Sequence, residues 1–84
     1  MQTATPEQFE ALQDIAQQND GTLRSYSGRG MYGARCLGIT TENPTSVIED
    51  AGAAGIKGAS RDSMGLKTIV YWPNIGVPDY FKED

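Results

Sequence analysis

Histidine is missing from this chain, and cysteine occurs once, at Cys36. Without histidine and with a single thiol, the usual zinc ligand sets cannot be assembled and no intramolecular disulfide can form. A nucleophilic role for Cys36 would need an activating base, and there is no imidazole to supply one. Asp62 and Glu42 lack a convincing carboxylate partner for paired acid and base work, so no catalytic residue, metal or cofactor is expected. Long apolar runs are also missing. No stretch approaches the roughly 20 apolar residues of a membrane span, and Met1 to Pro6 has no basic n-region, so neither membrane insertion nor export is expected. A reducing cytoplasm is the simplest location.

Positive charge is scarce. Seven Lys and Arg stand against eleven Asp and Glu, a net charge of −4, which argues against duplex nucleic acid as a partner. The distribution carries more information than the total. From Thr22 to Thr41 the chain has Arg24, Arg29 and Arg35 and no acid, and from Ala51 to Pro78 it has Lys57, Arg61 and Lys67 against Asp62 alone. The excess acid lies elsewhere, so a local cationic surface on an acidic body is expected, suited to a small anion or an acidic protein patch. Ordinary solvated strand charges give the same pattern.

The 84 residues amount to one small domain, with a core over 5–73 and a tail over 74–84. So small a core leaves pairing with a second copy, a homodimer, as an available source of stability. Thr5-Pro6 with Gln8 is a capping-box helix start, and Phe9, Leu12, Ile15 and Ala16 form one apolar stripe of a helix ending at Asn19-Asp20-Gly21. Strands follow over 22–27 and 34–40, joined by a glycine-rich tip. On the second of them Arg35, Leu37 and Ile39 alternate with Ala34, Cys36 and Gly38, giving one bulky face and one small face that a helix or ligand can approach. Asn43-Pro44 starts a second helix, with Val47, Ile48, Ala51 and Ala54 as its stripe and Gly55 as its end. Strands over 56–60 and 66–72 flank the turn Arg61 to Gly65, and Pro73 is expected to close the last strand. The fold class expected is α+β, an αββαββ pseudo-repeat with a four-stranded antiparallel sheet and both helices on one face. A sheet completed by a second chain is the alternative.

Gly28-Arg29-Gly30-Met31-Tyr32-Gly33 matches G-x-G-x-x-G, but the dinucleotide form of that pattern requires a helix directly after the loop, and here a strand follows. A hairpin tip whose amides lie over phosphates is the other use of the pattern, and glycines needed only for a bulged turn are the plain one. Ser27, Arg29, Tyr32 and Arg35 add hydroxyls, guanidinium forks and an aromatic ring of the kind that recognises nucleotides. Arg61, Asp62 and Ser63 form a second polar group, with Asp62 suited to a ribose hydroxyl or a base amine. If both hairpin tips point to the same end, the two groups share a ligand. The candidate ligand-binding residues are therefore Ser27, Gly28, Arg29, Gly30, Tyr32, Arg35, Arg61, Asp62 and Ser63. Tyr71-Trp72-Pro73 offers a stacking surface but reads first as core or dimer contact.

The string from Ser25 to Gly33, followed by Cys36 and Gly38 and later by Asp62-Ser63-Met64-Gly65 and Tyr71-Trp72-Pro73, resembles small bacteriophage-encoded proteins over residues 5–73. That resemblance implies a setting in the cytoplasm of an infected bacterium, where such proteins inhibit host enzymes or defence systems, some by sequestering nucleotide signals. Two functions follow from it. One is a non-catalytic binding protein for an anionic, nucleotide-like ligand; the other is an inhibitor that docks on a host protein through acidic helices or an open sheet edge.

Overall fold

The computed structural model describes residues 2–27 and 35–81. Along the chain run β1 (Gln2–Thr3), α1 (Pro6–Gln18), β2 (Thr22–Tyr26), β3 (Cys36–Thr41), α2 (Pro44–Ala53), β4 (Ser60–Met64) and β5 (Lys67–Gly76). The class is α+β, as expected, and the two helices start where the Thr-Pro and Asn-Pro steps place them. At α1 the expected box is formed: the Gln8 amide donates to Thr5 Oγ1 at 3.1 Å, and the Thr5 amide donates to Gln8 Oε1 at 3.0 Å. Such a cap contributes about 1 kcal/mol. At α2 the side chain of Asn43 makes no cap bond. There the neighbouring Thr41 serves instead, its Oγ1 accepting from the Asn43 amide at 2.9 Å.

Five strands form a mixed sheet, four of them curled into a half-barrel, which corrects the expected four-stranded antiparallel sheet. The order is β1, β5, β3, β2, with β4 also on β5. The extra strand is β1, which pairs in parallel with Ile75 and Gly76. Its two residues are too short to show an alternating pattern, so no sequence signal marks it. The fourth strand lies over Ser60–Met64 instead of 56–60, so Arg61, Asp62 and Ser63 sit in a ladder and the turn shrinks to Gly65-Leu66. Gly65 takes φ +65°, the left-handed conformation that glycine adopts without steric cost.

Nor does Pro73 end β5. The pairing of β3 with β5 lapses between Gly38↔Tyr71 and Cys36↔Gly76, while β4 pairs no further than Tyr71 and β1 begins at Ile75. Pro73 falls in the gap on both sides, where no ladder donor is required of it. Beyond the sheet, Phe81 and Tyr80 set their rings edge-on to Phe9 of α1, with centroids 5.6 and 5.2 Å away. The tail thus packs on the first helix.

Alternation along the strands divides the sheet into two faces. Leu37 and Ile39 of β3 and Val70 and Trp72 of β5 join Leu12, Ile15 and Ala16 of α1 and Val47 and Ala51 of α2 in one buried cluster, so both helices cover the same face. Ala54 caps the end of α2 and is exposed, outside the stripe expected for it. Trp72 is fully buried, which assigns it to the core, and its Nε1 is a buried donor without a partner among the described residues.

A polar node ties the end of α1 to the second half of α2 and to the end of β3. Asn19 Nδ2 donates to the Ile15 carbonyl at 2.8 Å and to Asp50 Oδ2 at 3.0 Å, and Thr41 Oγ1 donates to the Asn19 carbonyl at 3.3 Å. Because Asn19 is buried, deleting its amide leaves polar atoms unsatisfied. Asn19→Ala is expected to lower stability by about 1–3 kcal/mol. Urea denaturation checks this: the midpoint should fall with the slope unchanged.

Candidate functional site

The second face of the sheet carries the residues of opposite parity: Arg24 and Tyr26 on β2, Cys36, Gly38 and Thr40 on β3, Ile69 and Tyr71 on β5, and Ser60 and Asp62 on β4. Its floor is Gly38. A Cβ built there would stand 3.0 Å from Ile69 Cδ1 and 3.2 Å from Tyr71 Cβ, so the missing side chain is what lets these neighbours close over β3. The small face read from the sequence is therefore present, and its occupants are the chain's own side chains.

Over that floor the rings of Tyr26 and Tyr71 stack, with centroids 4.4 Å apart and an interplanar angle of 30°. The Tyr26 hydroxyl donates to Asp62 Oδ2. In a flat sheet β2 and β4 would lie three strand spacings apart, about 14 Å. Contact between their side chains across β3 and β5 requires the curl. On the same face Arg24 Nε donates to Thr40 Oγ1 at 3.3 Å.

Asp62 also fixes the ionisation of its partner. The hydrogen bond to its carboxylate, then desolvation, then its negative charge push the Tyr26 phenol up to about 12. A phenol that ionises only there remains a donor at neutral pH, so the pair orients groups and does not abstract protons. Burial pushes the Cys36 thiol up as well, and the residue is wholly enclosed beneath this face.

The nine candidate residues divide as follows. Gly28, Arg29, Gly30 and Tyr32 lie outside the described residues. Ser27 and Arg35 flank them at the Tyr26 end of the sheet, both exposed, and Arg35 Nη1 donates to Ser25 Oγ at 2.9 Å. Asp62 is brought to the same neighbourhood by its bond to Tyr26. Arg61 and Ser63 point to the helix side of β4, and Arg61 Nη2 donates to Thr45 Oγ1 of α2 at 3.4 Å. The bases of the two hairpins lie at opposite ends of the sheet, and the first tip itself lies outside the described residues. Cys36 is level with Gly76, whereas the Gly65-Leu66 turn adjoins Lys67 at the opposite end of β5, because β3 and β5 are antiparallel. The curl brings Asp62 of the second group to Tyr26, the residue next to Ser27, and Arg61 and Ser63 do not follow. Tyr26 and Arg24 are absent from the sequence-based candidates, and Tyr71 enters there only as part of a stacking surface. The shared parity of Arg24 and Tyr26, opposite Gly38 and Cys36 on the small face of β3, was the available signal.

Elsewhere, a hollow of about 420 Å³ lies at the start of α2 between Glu42, Thr45 and Glu49. A groove of about 370 Å³ runs between α1 and β2, with Ala16, Gln17, Leu23 and Phe81 in its walls. Neither contains a candidate residue. Among the described residues no group of three or more Cys, Asp or Glu side chains is placed to hold a metal ion. Compared with protein-family models, curated proteins and solved structures, the chain matches none.

The Tyr26–Asp62 bond gives a pH-dependent signature. With a folded value near 12 above the ordinary value of about 10, the bond's stabilisation is complete below pH 10 and is lost as pH rises through 12. Titration of phenolate absorbance should show one transition near pH 12 that disappears in Tyr26→Phe. In Asp62→Ala it should move down toward pH 10.

Proposed function

We propose that this chain is a non-catalytic binding protein of the phage anti-defence or host-takeover kind, which sequesters an anionic, nucleotide-like ligand at the Tyr26 end of the curled sheet. The observation that supports this reading is the joining of two stretches distant in sequence. Asp62 on β4 meets Tyr26 on β2, immediately before the Ser27 to Arg35 segment that carries the glycines and arginines. In this reading the outer surface of the tyrosine pair receives a base, Asp62 accepts from a hydroxyl or amine, and Arg29 and Arg35 with the glycine-tip amides hold phosphate.

A second reading has its own support in the sorting of charge by layer. The helices carry Glu7, Glu10, Asp14, Glu49 and Asp50 and no basic residue, while all four arginines belong to the two hairpin stretches. An acidic helix layer suits an inhibitor that docks on a basic surface of a host protein.

Thermal-shift measurements against mono-, di- and cyclic nucleotides test the first reading, since a ligand at 100 times its dissociation constant stabilises by about 2.7 kcal/mol. Gly30→Val and Tyr71→Leu are expected to abolish the shift, and Glu10→Lys to leave it unchanged, because an exposed charge beyond about 10 Å is largely screened. Failure of every nucleotide overturns the first reading in favour of the second, for which Glu10→Lys becomes the damaging substitution.

A further inference from the structure

We propose that the Tyr26–Asp62 contact is a strap that couples the two outer strands of the sheet, so that β2 and β4 hold each other closed across the curled face while the helix-covered core stays folded without them. Among the described residues β2 pairs with β3 alone, and β4 with β5 alone. Neither strand places a buried residue in the core, which α1, α2, β3, β5 and the residues Ala4 and Ile56 assemble. Leu23 of β2 is partly buried against that cluster, and β4 meets the helical layer through the Arg61–Thr45 bond. Strands with so little buried apolar surface lie at the low-stability end of a fold and open without unfolding the rest.

The ladders by themselves do not bring the strap together. Asp62 is level with Ile69, Ile69 with Thr40, and Thr40 with Thr22, so the residue of β2 in the row of Asp62 is Thr22. Tyr26 stands further along the strand, about 13 Å from Thr22 at the usual rise per residue. Its contact with Asp62 is therefore diagonal, and it forms when both strands follow the curl.

Two neighbours aim the groups that meet. The Tyr26 ring lies on Tyr71 of β5, and the Ser63 amide donates to Asp62 Oδ1 at 2.8 Å, leaving Oδ2 toward the phenol. Peeling β2 from β3 withdraws the phenol, and peeling β4 from β5 withdraws the carboxylate. Either motion breaks the same bond. Closure of one strand then favours closure of the other to the same degree, because such coupling is reciprocal.

Native-state hydrogen exchange followed by NMR tests the coupling. In the unmodified protein the amides that β4 donates to β5 are expected to exchange with a smaller urea dependence than those shared between β3 and β5, the mark of an opening smaller than global unfolding. Tyr26→Phe keeps the ring and removes the hydroxyl, yet it is expected to speed exchange on β4, a strand to which it does not belong, by about fivefold. That effect should vanish in an Asp62→Ala background, where the strap is already missing. Asn19→Ala, which loosens the helical layer, should leave the β4 rates unchanged. A β4 urea slope equal to that of the β3–β5 amides, or β4 rates raised by Asn19→Ala, overturns the proposal, since the strand then opens only with the whole chain. Unchanged β4 rates in Tyr26→Phe overturn it too, as does an equal acceleration by Tyr26→Phe with Asp62 present and absent. The measurements use no ligand, so their outcome is separate from that of the binding readings.

Discussion

The absence of a side chain at Gly38 is the constraint on which the rest of the sheet depends. Ile69 and Tyr71 close onto the backbone of β3 there, at distances a β-carbon would have to force apart. With that space filled by neighbours, β2 and β4 swing toward each other, and Tyr26 reaches Asp62 across two intervening strands. Just beyond, the lapse in pairing around Pro73 frees β5 to turn from one set of neighbours to another. Its first half is held between β4 and β3, and its end between β1 and β3. One strand therefore organises the sheet, carrying β4 along its first half and β1 at its end, level with Cys36 and Tyr26.

The helical layer answers to different physics. It is anchored by the apolar stripes of α1 and α2 and by the Asn19 node that connects them, while its outward surface is left acidic. Among the described residues Arg24 lies on β2 and Arg61 on β4, the latter turned toward α2. The acidic helix surface and the polar groups at the Tyr26 end are the two features from which the two binding readings arise.

The helices were legible in the sequence because their boundaries are written locally, in Thr5-Pro6 with Gln8, in Asn43-Pro44, and in the left-handed exits at Asp20 and Gly55. The alternation on β3 was legible for the same reason. Strand limits near Ile56 and Pro73 were not, since a strand's extent depends on partners that only the assembled sheet supplies. At the site, the polar segments themselves could be read, but their meeting could not. Tyr26 and Asp62 are 36 residues apart in the chain, and no local pattern encodes a diagonal contact made by curvature. Arg61, adjacent to Asp62, went to the other face for the elementary reason that neighbours in a strand diverge.

Cys36 lies completely enclosed under the tyrosine stack, and it is the only thiol in the chain. A lone sulfhydryl in that position turns the molecule into its own chemical clock. An alkylating reagent in solution can reach it only during moments when the half-barrel gapes, so the pace of labelling counts those openings directly, without an engineered probe.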